Sequence, residues 1–177
     1  MLFYTIYTNS INMSHSSMYL DYIFRKLGYE LEDNVKFNIA LTLKNNEYQN
    51  NHVSFLLDTK FNKIEAYAFN AFYATDSWPY SIHAEVSAIL KYYRNSNKPL
   101  NNNKKILLTV KLSKTGVIGN SKPCINCVRY IKDNFDNLNL KNIYFSTEHR
   151  TLESINKDGL IESNFRFSKA ALKKFNK

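Results

Sequence analysis

The sequence predicts an α/β protein in which amphipathic helices pack against a central sheet. Segments with apolar residues at helical spacing, 16–26, 34–45 and 82–94, alternate with short runs rich in β-branched and aromatic residues. Residues 106–112 are almost continuously apolar, which is typical of a buried central strand. A chain of 177 residues with 44% hydrophobic residues is long enough to bury the core of one domain.

The N-terminal part of the chain predicts two helices. The first is expected to begin at Ser16 or Ser17, end at Lys26 and stop at Gly28, which tolerates the backbone conformation that closes a helix. Asp33 is a suitable N-cap for the second, over residues 34–45.

The middle of the chain predicts a hairpin followed by a helix. Residues 52–58 and 64–70 read as two strands joined by a turn. Residues 71–82 are expected to form a loop that leads into a helix over 82–94. The strand over 106–112 comes next, and a second loop follows over 113–122.

The C-terminal part predicts a helix, two strands and a tail. Pro123 suits the first position of a helix, where its missing N–H has no partner to lose. Residues 142–147 and 150–156 read as strands four and five, and residues 168–175 read as a basic helix. Three parts are therefore expected: an N-terminal extension over 1–32, a core over 33–157 and a basic helical tail over 158–177.

Two short motifs carry the chemistry of the sequence. In the first, His83 is followed two residues later by Glu85, and in the second Pro123 is followed by Cys124 and Cys127. One imidazole and two thiolates leave a tetrahedral Zn²⁺ with an open fourth position, as in catalytic zinc sites. A carboxylate beside a zinc-bound water can accept its proton and pass it on. Both cysteines of the chain lie in this motif, whereas His52 and His149 lack suitable spacing for a ligand.

The order His-x-Glu followed by Pro-Cys-x-x-Cys resembles the zinc-dependent cytidine and deoxycytidylate deaminase superfamily. The resemblance extends over residues 33–157, because helix, hairpin and His-Ala-Glu helix is the opening order of that fold. It implies a three-layer α/β/α architecture with a mixed five-stranded sheet. The two helices that bear the metal ligands are expected side by side on one face.

The resemblance implies a hydrolytic deaminase. Zn²⁺ would be held by His83, Cys124 and Cys127. Glu85 would move a proton from the zinc-bound water to N3 of cytosine and then to the leaving amine, giving uracil and ammonia. Two alternatives remain open: a cytosine or adenine deaminase acting on single-stranded DNA, RNA or tRNA, and a zinc-stabilised binding module without catalysis.

Four further residues are candidates for binding substrate. Asn70 ends the second predicted strand, where the family often places an asparagine that holds the sugar, although asparagine is also common in turns. The resemblance also places Ala84 at the substrate. Phe72 and Trp78 precede the first motif and are candidates for stacking on a base, or for packing over the sheet edge.

The segment after the fourth strand bears on the size of the substrate. In the family, strands four and five are antiparallel in the deaminases of free nucleosides, whereas a helix precedes a parallel fifth strand in those of polynucleotides. A parallel crossover requires a dozen or more residues, and only a turn fits between Thr147 and Arg150. An antiparallel pair and a small substrate are therefore expected.

Composition indicates the compartment and the partners. Two cysteines offer no disulfide framework, and no apolar run approaches the roughly 20 residues that span a bilayer. A soluble, cytoplasmic, non-secreted protein is expected. The net charge is +9: residues 1–88 carry 6 basic and 9 acidic side chains, and residues 89–177 carry 18 and 6. The basic half suits a nucleotide, or alternatively a nucleic acid, and a homo-oligomer is compatible with the sequence.

Overall fold

The computed structural model describes residues 15–45, 50–74, 79–95, 102–113, 118–161 and 164–166. Within these ranges the α/β class predicted from the sequence is confirmed. No helix of the described residues has the length and apolarity needed to cross a membrane. The elements are α1 (His15–Lys26), α2 (Asp33–Asn45), β1 (Asn50–Asp58), β2 (Lys63–Phe69), β3 (Ala71–Ala74), β4 (Pro79–Ile82), α3 (Ala84–Asn95), β5 (Lys105–Ser113), β6 (Ile118–Gly119), α4 (Ile125–Asn134), β7 (Leu140–Ser146) and β8 (Leu152–Ile155).

The main sheet is mixed, with the strand order β2-β1-β5-β7-β8 and the short strand β6 beside β5. β1 pairs antiparallel with both β2 and β5, whereas β5 and β7 are parallel. β8 lies antiparallel to β7, with Ile143 opposite Ile155 and Ser146 opposite Leu152. The turn between them is closed by a hydrogen bond from the Thr147 N–H to the Thr151 carbonyl, and Arg150 there has a φ of 58°.

Helices cover both faces of this sheet, so the molecule has three layers. On one face α1 and α2 pack over alternate residues of β1 and β5. The ring of Phe24 in α1 meets the ring of Phe55 in β1 edge to face, with centroids 5.0 Å apart. On the other face α3 and α4 pack side by side over the intervening residues, among them Leu56 and Leu107. The two helices that carry the sequence motifs therefore share one face, as expected.

Residues outside 33–157 also contribute to the packed core. The side chains of α1 contribute to the first cluster, where Ile23 and Phe24 are fully buried. Beyond residue 157, Leu160 and Phe165 are buried in the second cluster, and the Ile125 N–H donates to the carbonyl of Arg166. The helix predicted over 168–175 lies outside the described residues.

Residues 71–74 and 79–82 form paired strands where a loop was expected. β3 and β4 make a separate two-stranded antiparallel sheet, with Ala71 opposite Ile82 and Ala74 opposite Pro79. Each strand has only four residues, too short for a period-two pattern to be recognised in the sequence. The expected loop over 113–122 likewise contains β6, whose two residues pair with β5.

The helix predicted to start at Pro123 begins later than expected. α4 starts at Ile125, and Cys124 is its N-cap, with an extended backbone at φ −80° and ψ 166°. Pro123 therefore lies just before the cap and not at the first helical position. α3 also starts two residues after its expected start, at Ala84, so His83 precedes the helix.

Candidate metal centre

His83 is held at the junction of β4 and α3. Its carbonyl accepts the N–H of Ser87 over 2.9 Å, which makes it the residue from which the helical hydrogen bonding begins. Ala84, the next residue, is fully buried against the sheet. Because both neighbours are fixed, one by the β3–β4 pairing and one by the core, the half-buried imidazole has a defined position.

Cys124 and Cys127 flank the first turn of α4. The Val128 N–H donates to the Cys124 carbonyl over 2.9 Å, and Cys127 lies one turn into the helix. Ile125 and Val128 pack into the second core cluster, which sets the rotation of the helix about its axis. Cys127 is consequently buried and Cys124 half-buried at the same end of the sheet as His83.

The three side chains meet at distances that suit a metal ion. His83 Nδ1 lies 3.4 Å from Cys124 Sγ and 3.3 Å from Cys127 Sγ, and the two sulfur atoms are 3.6 Å apart. In a tetrahedral zinc site, bond lengths of about 2.0 Å to nitrogen and about 2.3 Å to sulfur separate a nitrogen–sulfur pair by about 3.5 Å and a sulfur–sulfur pair by about 3.8 Å. Among the described residues this is the one group of three ligand-type side chains this close together. The donor set and its spacing therefore fit Zn²⁺.

The protonation of these groups is strongly coupled. Hydrogen bonds with Cys127 and His83 lower the pKa of Cys124 to about 4, against the effect of burial. The hydrogen bond with Cys124, burial and the charge of Glu85 raise the pKa of Cys127. The hydrogen bond with Cys124 also raises the pKa of His83. Three donor atoms this close cannot all lose their protons unless a cation compensates the charge.

Glu85 lies in the first turn of α3, beside the three ligand-type residues. Its side chain is 4% exposed and hydrogen-bonds with Cys127. Burial raises the pKa of Glu85, while the nearby His83 acts in the opposite direction. A carboxyl whose ionised form is disfavoured by burial can both accept and return a proton near neutral pH.

Asn70 follows β2 and closes the end of the β1–β2 pair. Its side-chain Oδ1 accepts the backbone N–H of His52, and its own N–H donates to the His52 carbonyl, both over 3.3 Å. Its side-chain amide N–H groups have no acceptor among the described residues. Asn70 thus has a structural role, and its amide remains able to donate to a ligand.

His52 also lies near the cluster, although it belongs to neither sequence motif. It lies on β1 beside Asn70, opposite Lys111 on β5, and its ring hydrogen-bonds to the backbone of Asn120. Burial, the charge of Lys111 and the nearby His83 lower the pKa of His52 to about 4. Two features of the sequence indicate this position: His52 begins a predicted strand, and the strand expected to pair with it ends at Asn70.

A buried network of hydroxyl groups holds Gly119 and Ser121, which precede the two cysteines in the sequence. Ser121 Oγ donates to the Thr109 carbonyl over 2.7 Å and lies 2.9 Å from Ser146 Oγ. Ser146 Oγ in turn donates to the Gly119 carbonyl over 2.8 Å. The network ties this segment to β5 and β7, so the sheet positions Cys124 through its backbone.

The remaining sequence candidates receive no structural role. Trp78 lies outside the described residues, and the backbone of Phe72 belongs to β3 while its side chain is not described. Their assignment to base stacking stays a prediction.

Comparison with known proteins yields one similar structure. A crystal structure of cytidine deaminase from Burkholderia pseudomallei matches over 74% of this chain and 97% of that chain, with 12% sequence identity and a TM-score of 0.47. No family model matches the sequence, and no curated protein matches it. At this identity and TM-score the likeness carries no argument for function.

Proposed function

We propose that this protein is a zinc-dependent hydrolytic deaminase that converts a cytosine nucleoside or nucleotide to its uracil form and releases ammonia. The observation that carries the proposal is the cluster of His83, Cys124 and Cys127 with the buried Glu85 beside it. The His-x-Glu and Pro-Cys-x-x-Cys motifs supply these four residues in the order typical of the zinc nucleobase deaminases.

In this proposal His83, Cys124 and Cys127 would hold the zinc ion, which would supply Lewis-acid chemistry to the reaction. When bound, Zn²⁺ would lower the pKa of a water ligand towards about 7. Three protein ligands are the number found in catalytic zinc sites, whereas structural sites are closed by four. No fourth ligand-type side chain joins the cluster among the described residues.

Glu85 is the proposed proton carrier. Its carboxylate would take a proton from the attacking water, deliver it to the ring nitrogen N3 and then assist the departure of the amine. Two observations support this role. Glu85 lies beside Cys127, and its side chain is only 4% exposed, which limits its contact with bulk water. A binding module without catalysis has no use for a buried carboxyl at this place, which disfavours that alternative.

A small substrate is proposed over a polynucleotide. The antiparallel register of β7 and β8, joined by a short turn, supports this choice by resemblance to the deaminases of free nucleosides. The choice of cytosine over adenine rests on the resemblance alone. Asn70 and Ala84 are proposed to contact the substrate, as are Phe72 and Trp78.

The test is ammonia release by the zinc-loaded protein. We would incubate it with cytidine, deoxycytidine, CMP, dCMP, adenosine and a cytosine-containing single-stranded oligonucleotide, and detect products by chromatography. Conversion of a free cytosine compound to its uracil counterpart supports the proposal. Conversion of the oligonucleotide alone would support the polynucleotide alternative, and no conversion of any compound would support the binding module.

A further inference from the structure

The two faces of β5 carry different kinds of side chain near the candidate metal centre. In β5 the side chains of Leu108, Val110 and Leu112 belong to the cluster under α1 and α2. Because side chains alternate between the faces of a strand, Thr109 and Lys111 project to the other face, which α3 and α4 cover. Lys111 is therefore a cationic side chain on the face that carries the metal-bearing helices.

Lys111 lies at the same end of the sheet as the metal centre. It is opposite His52 in the β1–β5 pair and opposite Gly119 in the β5–β6 pair. The backbone N–H of His52 donates to the side chain of Asn70. Ala71, which follows Asn70 in the sequence, pairs with Ile82, the residue directly before His83. These adjacent pairings place Lys111 near the end of the sheet at which His83 lies.

The position of the Lys111 side chain is restricted by Gly119. A Cβ atom added at Gly119 would lie 2.6 Å from Lys111 Cδ, so the stem of the lysine crosses the space that a larger residue would occupy. The backbone N–H of Lys111 is held by Ser146 Oγ over 3.2 Å. The stem of Lys111 therefore lies against Gly119 of β6.

The charge of Lys111 has no counterpart within the part of the chain that the structure describes. There the ammonium has neither a carboxylate within ion-pair distance nor a hydrogen-bond acceptor, although the side chain is only half-exposed. Such a lysine differs from Lys36 and Lys157, whose ammonium groups lie 3.1 Å from Asp21 and 2.6 Å from Asp136. A cation that is partly removed from water and lacks a protein partner favours an anionic ligand.

We propose that Lys111 binds the phosphate group of the substrate, so that the substrate class is a cytosine nucleoside monophosphate and not the free nucleoside. This inference rests on the proposed function and adds the phosphorylation state to it. Lysine is a common phosphate-binding residue that acts as a point charge. Lys111 takes part in substrate affinity only, while proton transfer belongs to Glu85.

The experiment compares kcat/KM for CMP with that for cytidine, and for dCMP with that for deoxycytidine. Wild type is expected to prefer the phosphorylated member of each pair. Lys111→Met keeps the aliphatic stem across Gly119 and removes the ammonium. It should reduce kcat/KM for the nucleotides about tenfold or more, the size expected for a charge-assisted hydrogen bond, and leave the nucleosides within about twofold.

Two controls separate this effect from a structural one. Lys141→Met removes a lysine that is exposed on β7 and should leave all four rates unchanged. Zinc content and Tm of Lys111→Met are measured alongside. If Lys111→Met folds poorly, Lys111→Gln in a Glu85→Gln background provides a binding comparison of CMP with cytidine by calorimetry, without turnover.

The outcomes distinguish this inference from the proposed function. Deamination of cytosine compounds without a preference for the phosphorylated form, or with a preference that Lys111→Met leaves intact, overturns the role of Lys111 alone. Failure of wild type to bind or convert any of the four compounds overturns both proposals. A phosphate preference that is lost only in the Lys111 variants supports the inference.

Discussion

The Nδ1 atom of His83 lies 3.3 Å from the Sγ atom of Cys127, although the two residues are 44 positions apart in the sequence. They are brought together because α3 and α4 pack side by side on one face of the sheet, each with its N-terminal turn at the same end. A metal ion bound here would join the two helices. Its binding free energy would therefore add to the free energy of unfolding.

Cys124→Ala is expected to lose the metal and to unfold at a lower temperature. Elemental analysis should give one zinc ion per wild-type chain and much less than one in the variant. The matched control is His149→Ala, which changes an exposed histidine that does not belong to the cluster and should keep zinc and Tm. Full zinc occupancy in Cys124→Ala would contradict the assignment of the ligands.

Asp58→Asn is expected to destabilise the protein in a pH-dependent way. Asp58 is fully buried; burial raises its pKa, but hydrogen bonds from Asn103 and from the N–H groups of Phe61 and Lys60 outweigh burial and lower it below 3.8. A carboxyl with a lowered folded-state pKa stabilises the fold above its unfolded-state pKa, and this contribution disappears as the pH falls through the folded-state value.

The difference in the free energy of unfolding between wild type and Asp58→Asn should accordingly be about 1–3 kcal/mol at pH 7. It should persist at pH 5 and shrink below about pH 4, as urea titrations at several pH values would show. Asp133→Asn, an exposed change of the same kind on α4, serves as the control and should have little effect. A difference that grows towards acid pH would refute this account of Asp58.

Asn70→Ala is expected to raise KM while zinc stays bound. Loss of one hydrogen bond to substrate predicts an increase of about three- to tenfold, and loss of the contact to the His52 N–H predicts a modest fall in Tm. Asn95→Ala changes an exposed asparagine at the end of α3 and provides the control. An unchanged KM with a lowered Tm would mean that Asn70 only closes the end of the strand pair.

The main sheet and the proximity of His83, Cys124 and Cys127 could be predicted from the sequence for identifiable reasons. The strand over 106–112 is apolar along most of its length because helices cover both faces of the sheet, and such a run is readable in the sequence. His83, Cys124 and Cys127 were identified because they are rare residue types at specific spacing. Both signals are local in the chain.

The features that sequence reasoning missed depend on tertiary pairing. β3 and β4 are four-residue strands that pair with each other outside the main sheet, and they are too short for a periodic pattern to mark them. The start of α4 depends on the extended backbone of Cys124, which places the cap after Pro123 and not before it. His52 and Lys111 become neighbours only through the register of β1 and β5, which the sequence does not encode locally.

The most direct test of the central claim is the rate of ammonia and uracil formation by zinc-loaded wild type and by zinc-loaded Glu85→Gln. The variant should retain one zinc ion and the wild-type Tm, because glutamine has the same shape and keeps a hydrogen-bonding side chain. Glutamine cannot carry protons, so turnover of the best cytosine substrate should fall by about 10²–10⁴-fold. Deamination by Glu85→Gln at a rate near that of wild type would contradict the account.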